Sequence, residues 1–201
     1  MAFLVTHDAP DFTAKAVLSD DSVNESFQLS SLRGRYVVLF FYPLDFTFVC
    51  PSEILAFDEA LDQFKERDTE VIGVSVDSHY THIAWRNTSV DAGGIGPIRF
   101  PLVSDLSKKI ARDYDLLVDE EVALRGLFLI DKEGIVRHAV VNDLPLGRNI
   151  PEALRMVDAL RFHENKGDVC PANWEKGREG MEPTRRGVVD YLSKFSKKAS
   201  S

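Results

Sequence analysis

The chain has 201 residues, 28% of them charged and 44% hydrophobic, and carries a net charge of −8. That balance is typical of a globular protein, and the length suffices to bury roughly 70% of the unfolded surface in one domain. The acidic excess argues against nucleic acid or an anionic membrane as a partner, because phosphate binding needs clustered Lys and Arg. Lys194, Lys197 and Lys198 read as a solvated end, not as a binding patch.

Met1–Val5 lacks a basic n-region and a full apolar h-region, and His7 and Asp8 follow at once. It is read as a first strand and not as a signal peptide. No apolar run approaches the length of a membrane span; the best one is cut by Pro43 and Asp45. Two cysteines without a secretion signal point to a reducing compartment, so a cytoplasmic setting is expected. Asp20, Asp21, Ser22 and Asn24 mark a turn, after which Phe27-Gln28-Leu29 leads to Ser30–Gly34.

Tyr36 to Phe41 is a short continuous apolar run, as suits a strand covered on both faces. Pro43 stops it, having no N–H for the ladder. Cys50 stands immediately before Pro51, and an amphipathic helix is expected over about 52–67, its apolar residues Ile54, Phe57, Leu61 and Phe64 stepping by three and four. A cysteine at a helix start faces unpaired N–H groups and the positive end of the macrodipole, which favour the thiolate. A buried structural cysteine is the competing reading, since free cysteine ranks among the most buried residue types. The surroundings favour chemistry. Thr47, three residues upstream, can donate or accept a hydrogen bond near the sulfur. Glu53 fills the position where a Cys-x-x-Cys motif would place its second cysteine, so a dithiol site of that kind is excluded.

Val71–Val76 reads as a second buried strand, with Asp77 and Ser78 as caps for a helix from about His79 to Ser89. Strand, helix, strand at this spacing is a βαβ unit with a parallel pairing. His79 and His82 share a helix face, but with no further His or Cys cluster nearby they are not a metal set. Gly93-Gly94-Ile95-Gly96-Pro97 lacks the Lys-Ser/Thr ending of a phosphate loop and reads as a flexible loop. Phe100–Val103 is a short strand, and Asp105 caps a helix to about Asp113. Leu127–Ile130, the turn Asp131–Gly134 and Ile135–Val141 form a hairpin. A helix follows from about Pro151 through Leu160, and beyond Gly167 come Val169-Cys170-Pro171-Ala172-Asn173-Trp174 and a Gly- and charge-rich tail. The alternation of strand and helix, closed by an antiparallel hairpin, makes this an α/β mixed sheet flanked by helices.

Two strings carry a family resemblance. Pro43-x-x-x-Thr47-x-x-Cys50, within Phe-Tyr-Pro-Leu-Asp-Phe-Thr-Phe-Val-Cys-Pro, resembles the peroxidatic-cysteine signature of the typical two-cysteine peroxiredoxins. Val-Cys-Pro-Ala-x-Trp around Cys170 resembles the resolving-cysteine motif of the same branch, with Asn173 where glycine is frequent. Ser52 replaces the usual threonine, and Asp8–Phe12 is similar to the opening segment of thioredoxin-like families. The likeness extends from about Ala9 through Trp174.

The resemblance implies a thioredoxin fold with peroxiredoxin insertions, as a peroxidase domain over 1–165 and an arm over 166–201 carrying Cys170. It implies a thiol-dependent peroxidase acting on hydrogen peroxide and organic hydroperoxides, with no metal or bound cofactor. Thr47 would hydrogen-bond peroxide and sulfur, Arg125 would face the sulfur, and Pro43 would shield the pocket. Glu53 and Arg148 would form the surrounding shell, the carboxylate orienting the guanidinium. From spacing alone Arg125 is an ordinary arginine beside a strand, and Trp85 is equally a core residue. Cys170 of the partner subunit would condense with the oxidised Cys50, in a homodimer that joins others as a ring, a decamer. Thioredoxin or a thioredoxin-like flavoprotein reductase would recycle the disulfide. A thiol–disulfide oxidoreductase on the same fold is disfavoured by Glu53; a holdase role, which some members add as large assemblies, is a different class again.

Overall fold

The computed structural model describes the backbone of residues 4–198 and the side chains of 4–194. In chain order come β1 (Thr13–Val17), β2 (Val23–Gln28), β3 (Tyr36–Phe41), α1 (Cys50–Glu59), α2 (Leu61–Lys65), β4 (Thr69–Ser75) and α3 (His79–Arg86). Next are β5 (Leu102–Ser104), α4 (Lys109–Asp113), a small hairpin of β6 (Leu117–Val118) and β7 (Val122–Ala123), β8 (Arg125–Ile130) and β9 (Val136–Asn142). α5 (Ile150–Lys166) and α6 (Arg185–Lys198) complete the set. The chain divides after Ala153 into two compact units, so the division falls inside α5.

The first unit is built on a seven-stranded sheet of order β2-β1-β5-β4-β3-β8-β9. β3 runs parallel to β4, and β4 to β5; the remaining pairings are antiparallel. This is the mixed sheet expected, with the thioredoxin-like arrangement of strands. All six residues of β3 are buried, because both of its faces are covered. Val37, Leu39 and Phe41 join a core with Ile72, Val74, Ile110, Tyr114 and Phe128. On the other face Phe40 stacks on Phe57 with ring centroids 4.3 Å apart and meets Phe100 edge-on at 5.7 Å. Burial from both sides removes the polar/apolar alternation of a half-exposed strand, which is why β3 reads as an unbroken apolar run.

Several boundaries differ from the sequence reading. The helix expected from residue 52 begins at Cys50 itself and breaks at Ala60 into α1 and α2. The expected first strand lies largely outside the described residues; Val5 and Thr6 form a turn, not a strand. Ser78 caps α3 as expected, accepting from the Thr81 N–H at 3.2 Å. Asp105 caps α4 from several residues away, accepting from the N–H groups of Ile110 (3.1 Å) and Ala111 (2.7 Å). The glycine loop is a tight turn: a Cβ on Gly94 would lie 1.9 Å from the Thr88 carbonyl oxygen. The short polar strand β2 and the hairpin β6–β7 were not anticipated.

In the second unit, the later turns of α5 lead into a segment closed by a two-way backbone bridge between Val169 and Met181, with N···O distances of 2.8 and 2.9 Å. Trp174 is buried in that segment, its ring 4.8 Å from Phe162.

Candidate active site

β3 ends at Phe41, and the chain then makes a short loop, 42–49, before entering α1 at Cys50. Val49 is the N-cap, in helical conformation and with no side-chain cap, and Pro51 occupies the first turn. The cysteine therefore sits at the uncapped positive end of α1, with its side chain fully buried.

Two polar side chains converge on its sulfur. Thr47 Oγ1 lies 2.9 Å from Sγ and donates to the Leu44 carbonyl at 2.8 Å. A hydroxyl has one proton and two lone pairs, so Thr47 can donate to a thiolate, or accept from a thiol or peroxide while its own proton is held by Leu44. From the edge of β8, Arg125 places Nη1 3.4 Å from Sγ. The same Nη1 donates to Glu53 Oε2 at 2.6 Å, and Nε donates to the Leu144 carbonyl at 2.6 Å, so the guanidinium is held at both ends.

Glu53, one turn along α1 from Cys50, is almost wholly buried and is shared by two arginines. Arg148 donates to Glu53 from its backbone N–H (2.9 Å), from Nε (2.7 Å) and from Nη2 (2.9 Å). Its Nη1 reaches the carbonyls of Phe41 (2.8 Å) and Gly126 (2.6 Å), tying the network to the ends of β3 and β8. Burial pushes the Arg148 guanidinium below its ordinary value, and the hydrogen bonds and charge of Glu53 act in the opposite direction. Gly126, whose carbonyl takes the Arg148 bond, packs against Leu116: a Cβ there would lie 2.4 Å from Leu116 Cδ1.

All of the expected site residues in the first unit are thus brought together: Thr47, Arg125, Glu53 and Arg148 surround Cys50, and Pro43 is buried in the loop leading to it. Cys170 belongs to the second unit, where it is half-buried and its thiol donates to the Ala159 carbonyl at 3.4 Å. Burial pushes the Cys170 thiol up, with Arg155 acting against it.

The network beneath the loop was missed. Asp45 is buried and accepts from Tyr42 Oη at 2.8 Å, and its Oδ2 pairs with His82 Nδ1 at 2.7 Å. His82 Nε2 faces the Val103 carbonyl at 3.3 Å, and the Asp45 N–H donates to Asp77 at 2.7 Å. The available signal was Asp45 itself, since a charge inside an apolar string needs a buried partner. Trp85 is core, fully buried, packing on Tyr42 and Phe46. Phe46 adopts a left-handed φ of 54°, and Phe48 beside it is 98% exposed.

A sulfur at a helix start, met by a fixed cation and an orientable hydroxyl, is arranged to attack a weak O–O bond and stabilise the departing oxygen. With the thioredoxin-like sheet behind it, this defines a thiol-dependent peroxidase. Residues 5–139 match the AhpC/TSA family, and 159–194 match the C-terminal domain of 1-Cys peroxiredoxin. Alkyl hydroperoxide reductase C of Helicobacter pylori is 58% identical over 96% of this chain and 98% of its own length. Peroxiredoxin-1 of Gallus gallus is 50% identical over 92% of this chain and 94% of its own length. The reduced 2-Cys peroxiredoxin of Plasmodium vivax superposes with a TM-score of 0.94 at 52% identity, covering 96% of this chain and all of that one. The chain belongs to the AhpC/TSA family and is a peroxiredoxin.

Thr47 gives a direct test of the hydroxyl. Thr47→Val keeps the shape but removes the acceptor, and is expected to slow peroxide reduction about 10²-fold. Thr47→Ser, which keeps the oxygen, should stay within about tenfold of the parent in the same stopped-flow assay. Equal losses in the two variants would mean that the methyl group, not the hydroxyl, matters.

Proposed function

We propose that Cys50 is the peroxidatic thiol for hydrogen peroxide and small organic hydroperoxides, and that Cys170 of the partner subunit resolves it. The Cys50 thiolate attacks the terminal peroxide oxygen; an S–O bond forms as the O–O bond breaks, and sulfur is oxidised to sulfenic acid. The departing alkoxide or hydroxide, its charge offset by Arg125, takes up a proton and leaves as alcohol or water. Cys170 of the partner subunit then attacks the sulfenic sulfur, forming a disulfide and releasing water. A dithiol reductant, thioredoxin or a thioredoxin-like flavoprotein reductase, returns both thiols by exchange. The observation that carries this reading is the convergence of Thr47 and Arg125 on one buried sulfur at a helix N-terminus.

Two exposed features support a reading of the assembly. β9 is the last strand in the sheet order, residues 6–8 pair at its start, and a sheet edge is a template for a second chain. Phe46 and Phe48 project from the active-site loop, half and almost fully exposed. In our reading β9 pairs in a homodimer, and dimers join through the phenylalanines into a ring, a decamer, in the cytoplasm. Peroxide added in stoichiometric amount should give a covalent dimer on a non-reducing gel. Cys170→Ser should give a monomer band and a Cys50 sulfenic acid trappable with a dimedone probe. A disulfide confined to one chain would exclude the intersubunit step.

A further inference from the structure

In the second unit one stripe of α5 holds the segment that carries Cys170. Arg155, Ala159, Phe162 and His163 stand at i, i+4, i+7 and i+8, on one helix face. Arg155 Nη1 donates to the Trp174 carbonyl at 2.8 Å, and Nη2 approaches Met156 Sδ at 3.1 Å. The Ala159 carbonyl accepts from the Cys170 thiol, Phe162 packs on the Trp174 ring, and His163 Nδ1 lies 2.9 Å from the Asp168 carbonyl. Between Cys170 and Trp174 the chain makes a turn in which the Trp174 N–H donates to the Pro171 carbonyl at 3.0 Å and Asn173 takes a left-handed φ of 59°. The Trp174 indole N–H donates to the Arg178 carbonyl at 3.2 Å, closing the far side. The guanidinium on the Trp174 carbonyl is a charge-assisted contact, and bonds of that kind are roughly twice as strong as neutral ones.

We propose that Arg155 is a positioning residue for the resolving step: its grip on the Trp174 carbonyl keeps the Pro171–Trp174 turn docked on α5 and Cys170 withdrawn. Cys170 acts as a nucleophile only after this turn lifts, so Arg155 sets how fast resolution competes with a second oxidation of Cys50. The proposal rests on Cys170 being the resolving thiol. Arg155 has a second, opposing influence, since its charge favours the Cys170 thiolate against the burial that disfavours it. The two roles make opposite predictions.

The test is the labelling rate of each cysteine by N-ethylmaleimide in the reduced full-length protein, read by mass spectrometry. Arg155→Met keeps the stem and loses the donors; Cys170 labelling should rise about tenfold, the effect of losing one charge-assisted bond from a local opening equilibrium. Cys50 labelling should not change. Arg155→Lys retains a single donor, and its Cys170 should label at a rate between the other two. In the methionine variant the disulfide should also form faster, and the sulfinic fraction of Cys50 at a given peroxide dose should fall. Slower Cys170 labelling would mean that the charge, not the clamp, dominates, and would overturn the proposal. So would an unchanged rate, or a parallel rise at Cys50, which would signal general loosening. Should the methionine variant not fold, the lysine variant decides: faster Cys170 labelling at constant Cys50 labelling supports the clamp, and parental labelling overturns it. These readouts do not depend on what Cys170 does. Absence of any Cys50–Cys170 disulfide in the parent protein would remove the resolving role and leave the clamp measurement intact.

Discussion

Arg125→Met is expected to lower the second-order rate constant for hydrogen peroxide by roughly 10²–10³-fold, the usual cost of one preorganised transition-state donor. The guanidinium is fixed by the Leu144 carbonyl at Nε and shares Nη1 between the Cys50 sulfur and Glu53. Lysine cannot replace it. A single ammonium on a flexible stem cannot serve a sulfur, a carboxylate and a carbonyl in three directions at once. Arg125→Lys should therefore lose most of the activity although it keeps the charge. Stopped-flow oxidation of the Cys170→Ser background isolates this step from resolution. A methionine variant within about threefold of its parent would show that the helix start and Thr47 suffice, against the expected donor cost.

Glu53→Ala should be the most destabilising single change in the site. Its carboxylate separates two guanidiniums that are each nearly fully buried, at 2.6 Å from Arg125 and 2.7 Å from Arg148. Removing the anion leaves two like charges facing each other without water, and breaking a buried pair in this way costs about 3–5 kcal/mol. Glu53→Gln keeps acceptors on both sides but no charge, so its loss should be intermediate. Urea midpoints of the reduced proteins measure this directly. An alanine variant with the parental midpoint would mean that water or a relaxed side chain fills the gap, and the carboxylate would lose its structural role.

The nucleophile and its nearby partner Thr47 were readable from the sequence, and its distant partners were not, for a physical reason. Cys50, Thr47 and Glu53 lie within one turn-to-helix step, so their spacing fixes their geometry. Arg125 and Glu53 are 72 residues apart, and Arg148 and Glu53 are 95 apart. Nothing local marks an arginine before a strand as facing a sulfur, and only the family resemblance singled out these two. β3 was legible because double coverage writes itself as a continuous apolar run. β2 was not, since Val23–Gln28 is mostly exposed and polar, and its pairing with β1 is set by tertiary contacts. The break at Ala60 was hidden for a similar reason: Leu61 and Phe64 continue the apolar stripe of α1 across it, so periodicity alone sees one helix.

The pinning of Glu53 also sets a radius of action for the sulfur. For the fully buried Cys50 to meet a second thiol, as proposed, the first turn of α1 would have to open; the anchored point would then be Glu53, held by both guanidiniums, with Arg148 tied to the backbone of β3 and β8. Only Cys50, Pro51 and Ser52 precede that anchor in the helix. Three residues fully extended span about 10 Å, so the oxidised sulfur travels on a short leash. In the proposed cycle the resolving thiol would cover whatever distance the leash does not. With that anchor in place, the cationic pocket would keep its form while the sulfur is away, a mould into which the reduced turn could recoil.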